Sequence, residues 1–373
     1  MDGPVGRRAV PARRRARQTR PVRVLILGTG SMAHSHAEAF AAMPGVELAG
    51  AVDPRPAGLA QFAARFGIAR SFGTLDEALG WGDFDAASNV TPDPAHHETT
   101  MRLLRAGKHV LCEKPLATDW AKAREMAETA GQSGLVNVVN LTYRNVPALW
   151  KAAAMVAAGA IGPVRHLEAS YLQSWLTQPA WGEWTTEPRW LWRLSKAHGS
   201  KGVLGDVGIH ILDFASFVAG QPVTDLSCRL KTFPKAAGDR IGDYVLDAND
   251  GFVLHLGLAG GGIGTVSASR MTTGHFNDLR LRLYGDKGGL EVRYEKRVST
   301  LRACLGPDAL TETWRGIRAP GVSTNYRRFI DAVRGGPRLA PDFARGAELQ
   351  EWLDLAEASD AAEGRRLATS AAG

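Results

Sequence analysis

Asp206 and His210 stand four residues apart in GVLGDVGIHILDF (Gly202–Phe214), a stretch otherwise almost wholly apolar or glycine. On a helix such a pair shares one face, with Cβ atoms ~5–6 Å apart. Histidine titrates near neutral pH and is the natural acceptor of a proton. A carboxylate one turn away can orient the imidazole and hold its tautomer, or bind a hydroxyl. The remaining residues are apolar because the helix packs, so its Asp and His are expected to line one wall of a pocket.

A second constellation lies near the start. Val22–Leu27 is a short apolar run, as a buried parallel strand requires. It ends in Gly28-Thr29-Gly30-Ser31-Met32-Ala33, a G-x-G-x-x-A turn followed by helical periodicity. Gly28 permits the turn, Gly30 lets backbone approach a pyrophosphate, and Ala33 allows close helix packing. The phosphates would sit on the N–H groups of the helix N-terminus. A second strand, 46–54, carries Asp53, near the spacing at which a carboxylate meets the adenosine ribose. An acid there accepts from the ribose hydroxyls and repels a 2′-phosphate, which favours NAD. Arg55 just beyond is the feature that would suit NADP instead.

The alternation continues with a strand at 84–90, a helix at 94–107, a strand at 108–117, a helix at 119–133 and a strand at 136–143. This is a doubly wound α/β domain, in which a ligand lies at the carboxyl ends of the strands. Those ends carry Thr91-Pro92, Glu113-Lys114-Pro115 and Tyr143-Arg144. After a helix at 148–159 the pattern changes to strands at 164–175, 226–233, 243–250, 251–259, 264–271 and 279–292. Helices are expected at 202–219, 323–335 and 343–361. The fold class is thus a Rossmann-type dinucleotide-binding domain (22–143) plus an α+β domain (144–373) with a large, mostly antiparallel open sheet. One face of that sheet carries helices and the other is free to pair with a second subunit, as a homodimer or homotetramer.

Composition limits the partners. The net charge of +7 lies in residues 1–23, which hold eight arginines and one acid; the rest has 37 bases and 37 acids. The basic tail, 1–21, is expected to be disordered. It reads as a dispensable extension, a weak anionic contact or, lacking an apolar run after Arg7-Arg8, least of all an export signal. A neutral body argues against nucleic acid, and no apolar run has the ~20 residues of a membrane span. Cys112, Cys228 and Cys304 have neither metal nor disulfide-framework spacing, so a cytoplasmic location is expected. His34 and His36 at i, i+2 do not share a helix face, and the adjacent His96-His97 give no ligand geometry; no metal is expected.

GTGSMA (28–33), TPDPAH (91–96), AGKHVLCEKPLA (106–117), YRNVPAL (143–149), GDVGIHILD (205–213) and YGDKGGLEV (284–292) resemble, in order, the glucose–fructose oxidoreductase / inositol dehydrogenase family (Gfo/Idh/MocA). The resemblance runs over nearly the whole chain from Val22. It implies an NAD(P)-dependent dehydrogenase or reductase of a sugar, sugar derivative or cyclitol. It further implies Lys114, Asp206 and His210 as the catalytic set, and Gly28, Gly30 and Asp53 as cofactor residues. Thr29, Ser31, Met32, Thr91, Pro92, His96 and Glu113 would complete the cofactor groove, with Tyr143 and Arg144 near the substrate. In such chemistry the cofactor takes the hydride and the protein positions and accepts the proton, while a lysine over the reacting oxygen stabilises alkoxide charge. The glycine run usual before the Asp/His helix reads GSKGVLG (199–205) here, and Lys201 could meet an acidic substrate. Trp175, Trp181, Trp184, Trp190 and Trp192 crowd the preceding segment; Trp175 and Trp192 are expected to line the pocket, the others serving it or a dimer interface. Two alternatives remain: an NADP-dependent reductase of a keto-sugar or small carbonyl, and a non-catalytic nucleotide-sensing protein of the same fold.

Overall fold

The computed structural model describes residues 20–372. The basic segment expected at 1–21 therefore lies, except for its last two residues, outside the described part. Arg20 pairs with Asp85 on the surface.

Six parallel strands form the first sheet: β1 (Val22–Leu27), β2 (Val46–Val52), β3 (Ser71–Phe72), β4 (Ala86–Asn89), β5 (His109–Cys112) and β6 (Asn137–Val139). Their order is β3-β2-β1-β4-β5-β6. The direction of winding thus reverses between β1 and β4, and a crevice opens at the carboxyl ends of those two strands. The connecting helices are α1 (Ser31–Ala41), α2 (Pro56–Phe66), α3 (Leu75–Trp81), α4 (His96–Arg105) and α5 (Trp120–Ser133). Their starts are written locally. Thr74 and Glu77 form a reciprocal capping box on α3, and Asp119 caps α5. The strand expected at 108–117 ends at Cys112, and the one expected at 136–143 ends at Val139. Beyond those points the chain turns toward the crevice, and Tyr143 and Arg144 sit in a short 3-10 turn.

After α6 (Pro147–Ala157) comes β7 (Val164–Leu172), then α7 (Pro188–Leu191), α8 (Ile209–Ala219) and β8 (Val223–Lys231). A two-stranded ribbon, β9 (Arg240–Ile241) with β10 (Tyr244–Val245), stands where a strand at 243–250 was expected. The large sheet is completed by β11 (Gly251–Leu258), β12 (Ile263–Ser269), β13 (Asp278–Gly285), β14 (Gly288–Glu295), β15 (Val298–Leu305) and β16 (Arg315–Gly316). Then follow α9 (Asn325–Val333), α10 (Phe343–Ala361) and β17 (Leu367–Ala368). The order is β16-β15-β14-β13-β7-β12-β11-β8-β17, antiparallel except for β7 with β12. The single strand expected at 279–292 is a hairpin: β13 turns back through Asp286-Lys287 and β14 pairs with it. The strand β15 was not anticipated, although its inward residues Leu301 and Ala303 alternate with exposed ones.

One apolar core joins the two sheets. It runs from Leu25, Leu27 and Cys112 through Ala123 and Met126 of α5 and Leu349, Trp352 and Leu353 of α10. It continues to α8 and the inner side chains of the large sheet. The opposite face of the first sheet is closed by α1, α2 and, returning from late in the chain, Tyr326, Phe329 and Ile330 of α9.

Candidate functional site

At the end of β1, Gly28 has φ +90°, and a Cβ there would meet the Val90 carbonyl oxygen at 2.6 Å. Only glycine brings β1 and β4 this close. Gly30, the residue before α1, faces open space, and α1 starts with neither a side-chain cap nor an acid in its first turn. Its free N–H groups and positive dipole end suit an anion. These features fit the pyrophosphate of a dinucleotide. Asp53 follows β2 and is buried. It accepts from the Thr29 N–H (2.9 Å) and hydroxyl (2.8 Å), and from Arg55 Nε and Nη2 (both 2.9 Å). The Arg55 guanidinium, with Thr29, holds this carboxyl well below the usual range despite burial.

The loops after β4 and β5 are tied together by His96. Its ring is fully buried, with Nδ1 2.8 Å from the Pro115 carbonyl oxygen and Nε2 2.9 Å from that of Thr91. Both partners are acceptors, so both nitrogens must carry protons and the ring is an imidazolium. Burial opposes that charge, but the Cys112 sulfur, Asp93 and the Pro115 carbonyl outweigh it and the ring is pushed up to about 10. Next to this clamp, Glu113 accepts from Asn140 (2.6 Å) and lies 2.8 Å from His36 Nε2, whose Nδ1 meets Ser88 at 2.7 Å. Burial would raise Glu113, yet His36 and Asn140 hold it near 2.

Lys114 leaves this anchored loop and crosses to the second half. Its Nζ donates to the Asp206 carbonyl at 3.0 Å and lies 3.4 Å from Oδ1. Asp206 sits in a π-helical turn, Leu204–Gly208, ahead of α8. Asn249 pins that turn: its Oδ1 accepts from Leu204 N–H and its carbonyl from Val203 N–H. Gly202 packs so tightly on Asn249 that a Cβ would lie 2.4 Å from its amide nitrogen. Burial would raise the Asp206 carboxyl, but Lys114, Arg270 and Arg193 together hold it well below its ordinary range. Asp206 does not bond to His210. The His210 ring is buried edge-on to Tyr143 (5.1 Å), with Nδ1 unpartnered. Burial and Lys114 push it down to about 3, so it is neutral at physiological pH.

Between these parts is a cavity of about 220 Å³. Ser31, Met32, Thr91, Asp93, Glu113 and Lys114 form its first wall; Trp192, Arg193, Lys201, Asp206 and Arg270 form the other. It lies at the carboxyl ends of β1, β4 and β5, where the winding reverses.

Residues 22–141 match the model of an oxidoreductase family with an NAD-binding Rossmann fold, and residues 149–291 that of the GFO/IDH/MocA C-terminal domain. A 4-carboxy-2-hydroxymuconate-6-semialdehyde dehydrogenase of Sphingobium sp. is 30% identical over 87% of this chain and 94% of its own. The chain belongs to the GFO/IDH/MocA oxidoreductase family. Levoglucosan dehydrogenase of Pseudarthrobacter phenanthrenivorans is 28% identical over 90% of this chain and 98% of its own. A solved levoglucosan dehydrogenase in complex with NADH superposes with a TM-score of 0.81, at 25% identity, over 94% of this chain and 99% of that one. As a GFO/IDH/MocA protein the chain is an NAD-binding oxidoreductase, and its relatives include dehydrogenases of sugars and cyclitols.

Within this GFO/IDH/MocA fold the expected residues divide. Lys114 and Asp206 meet in the cavity, and Trp192 lines it. His210 lies behind them, one turn on, outside the lining. His96 does not face the groove: both its nitrogens are spent on backbone carbonyls. Arg144 is not at the cavity either. Its guanidinium forms two 2.7 Å bonds to Asp213 and stacks on Phe217, on another side of α8. Tyr143 bonds to Tyr171 (2.5 Å) rather than opening to the cavity; burial pushes its hydroxyl up to about 12. Trp175 is buried under Trp190, backing Arg270. Arg193 and Arg270 were missed. For Arg270 a signal existed: Val266, Ala268 and Arg270 alternate with exposed or half-buried residues, so the period of β12 turns the arginine inward.

Proposed function

We propose that the protein oxidises a secondary alcohol of a sugar, sugar derivative or cyclitol with NAD. The observation that carries this is the meeting of Lys114 and Asp206 at the strand ends, beside the uncapped start of α1. NAD, when bound by the Gly28–Met32 turn, supplies the hydride acceptor. Lys114 holds its ammonium over the reacting hydroxyl and stabilises negative charge as it develops on oxygen. Asp206 orients Lys114 rather than His210. The neutral His210 imidazole takes the hydroxyl proton. NAD is preferred over NADP because Arg55, the group that would take a 2′-phosphate, is engaged by the buried, ionised Asp53. A second copy of the chain covers the helix-free face of the large sheet, a groove lined by Ser170, Thr265, Arg280 and Arg282. The three cysteines, all buried and free, accord with a reducing, cytoplasmic setting.

Absorbance assays of NADH formation over a sugar and cyclitol panel test the reading. His210→Ala should lower kcat by roughly 10²–10⁴-fold, and Lys114→Ala should keep NAD binding while losing most of kcat. A wild-type rate for His210→Ala would move the base role to Lys114, and no turnover of any panel member would favour the nucleotide-sensing alternative.

A further inference from the structure

One oxygen of the Asp206 carboxylate faces Lys114 and the other faces Arg270. We propose that Arg270 is a positioning residue of the reaction: by pinning Oδ2 it turns Oδ1 to Lys114 and so fixes the ammonium over the reacting oxygen. This role rests on the dehydrogenase reading and deepens it.

Three cations stand around Asp206 and they are not equivalent: Arg270 is at 3.0 Å, Lys114 at 3.4 Å and Arg193 at 3.7 Å. Lys114 is the group that meets the substrate, so it is held rather than holding. Arg193 lies beyond hydrogen-bond length, is 32% exposed, and its guanidinium is engaged by the Arg189 carbonyl. Arg270 alone of the three combines a hydrogen bond to the carboxylate with complete burial. Its Nη1 donates to the Arg193 carbonyl at 3.0 Å, and its Cζ lies 5.0 Å from the centre of the Trp175 ring. Two fixed acceptors and an aromatic backing leave the planar fork one orientation, a constraint that a flexible ammonium would not supply.

The charges behind Arg270 keep it in place. Asp250, wholly buried, stands opposite it where β11 and β12 pair, and the Arg270 N–H donates to the Asp250 carbonyl at 2.9 Å. The Asp250 carboxylate in turn takes the buried Lys235 Nζ at 2.8 Å. Signs thus alternate from Lys235 through Asp250, Arg270 and Asp206 to Lys114. Burial works against the Arg270 charge, and Asp206 first and Asp250 after it favour that charge. Each ion in such a series has neighbours of opposite sign, where an isolated buried charge would be costly. The series ends at the one member that reaches the substrate. Removing Arg270 leaves Oδ2 with Arg193 alone, at the longer distance, and the carboxylate free to turn.

The test measures kcat, KM and NAD affinity for wild type, Arg270→Gln, Asp206→Asn and the double variant, on the panel member turned over fastest. Arg270→Gln should lose on the order of 10²-fold in kcat, as a displaced catalytic group does, with KM and NAD affinity little changed. Arg270→Lys keeps the charge but reaches only one of the two partners, and should recover part of the loss. In the Asp206→Asn background, Arg270→Gln should cost no more than about twofold further, since its role runs through that carboxylate. The thermal midpoint shows which variants are folded; Arg270→Met, of similar reach without charge, carries the test should Arg270→Gln not fold. An undiminished kcat, or losses that multiply in the double variant, overturns the proposal. If wild type turns over no panel member, the dehydrogenase reading falls, and crystal structures of wild type and the folded Arg270 variant judge the positioning alone. Asp206 should then swing away from Lys114 in the variant, and an unmoved carboxylate overturns the proposal.

Discussion

Replacing His96 with methionine removes the clamp between the loops that carry Thr91 and Lys114. The side chain is fully buried and makes two charge-assisted bonds, at 2.8 and 2.9 Å. Each is worth about 1.5–3 kcal/mol, so the loss should be about 3–6 kcal/mol. The same contacts also appear as a raised proton affinity of the ring. His96 is raised from 6.5 to about 10 on folding, and a proton held this much more tightly corresponds to about 5 kcal/mol. Because the folded value is the higher one, the contribution is fully present below pH 6.5 and is lost as pH rises through 10. The stability gap between wild type and His96→Met should therefore shrink by about 3 kcal/mol between pH 6 and pH 9. Groups common to both proteins cancel in that difference. Urea unfolding of both proteins at several pH values measures it. His96→Gln, which can still donate to one carbonyl, should fall between the two. A gap that stays constant with pH would mean that the ring is neutral and one carbonyl unpaired, and the imidazolium argument would fail.

Other outcomes follow from the same geometry. His210 is pushed down to about 3 by burial and Lys114. Its acid limb in kcat/KM should therefore lie below pH 5, and a limb near 6.5 that vanishes in His210→Ala would refute the burial argument. Asp206→Asn leaves Lys114, Arg270 and Arg193 without their carboxylate; kcat should fall with little change in NAD binding, and an unchanged kcat would show that Lys114 is held by the backbone carbonyl alone. Arg144→Ala breaks a buried ion pair and should cost about 3–5 kcal/mol in urea unfolding, while KM for substrate should hold; a KM effect without loss of stability would return Arg144 to the substrate. Calorimetric titration should show NAD binding more tightly than NADP, and the reverse order would show that Arg55 lets go of Asp53.

The order of strands and helices was largely readable because each buried strand of the first sheet is a short apolar run ending at a turn. The bounds of α10 matched the expected 343–361. Position along the chain also brought Lys114 and Asp206 into one neighbourhood. What position does not reveal is which side of an element is spent on structure. Arg144 sits at a strand end, like Lys114, but an acid on α8 claims it. His96 belongs to a motif of the glycine-turn domain, yet it works by holding two carbonyls. Asp206 and His210 have helical spacing, but the π-helical turn and three neighbouring cations direct the carboxylate away from the ring. For Arg144 and Asp206 the outcome depends on partners more than sixty residues away, Asp213 and Arg270.

The helix α10 lies against α5 of the first sheet and against β8 of the second, within one apolar core. A crossover between two relatives placed at the end of the glycine-turn domain would give one parent's α5 the other parent's α10. Leu349, Trp352 and Leu353 would then meet Ala123 and Met126 counterparts they were not selected against. Viable hybrids should be those that exchange α10 together with the first half, so inheritance in this architecture follows the buried seam rather than the order of residues along the chain.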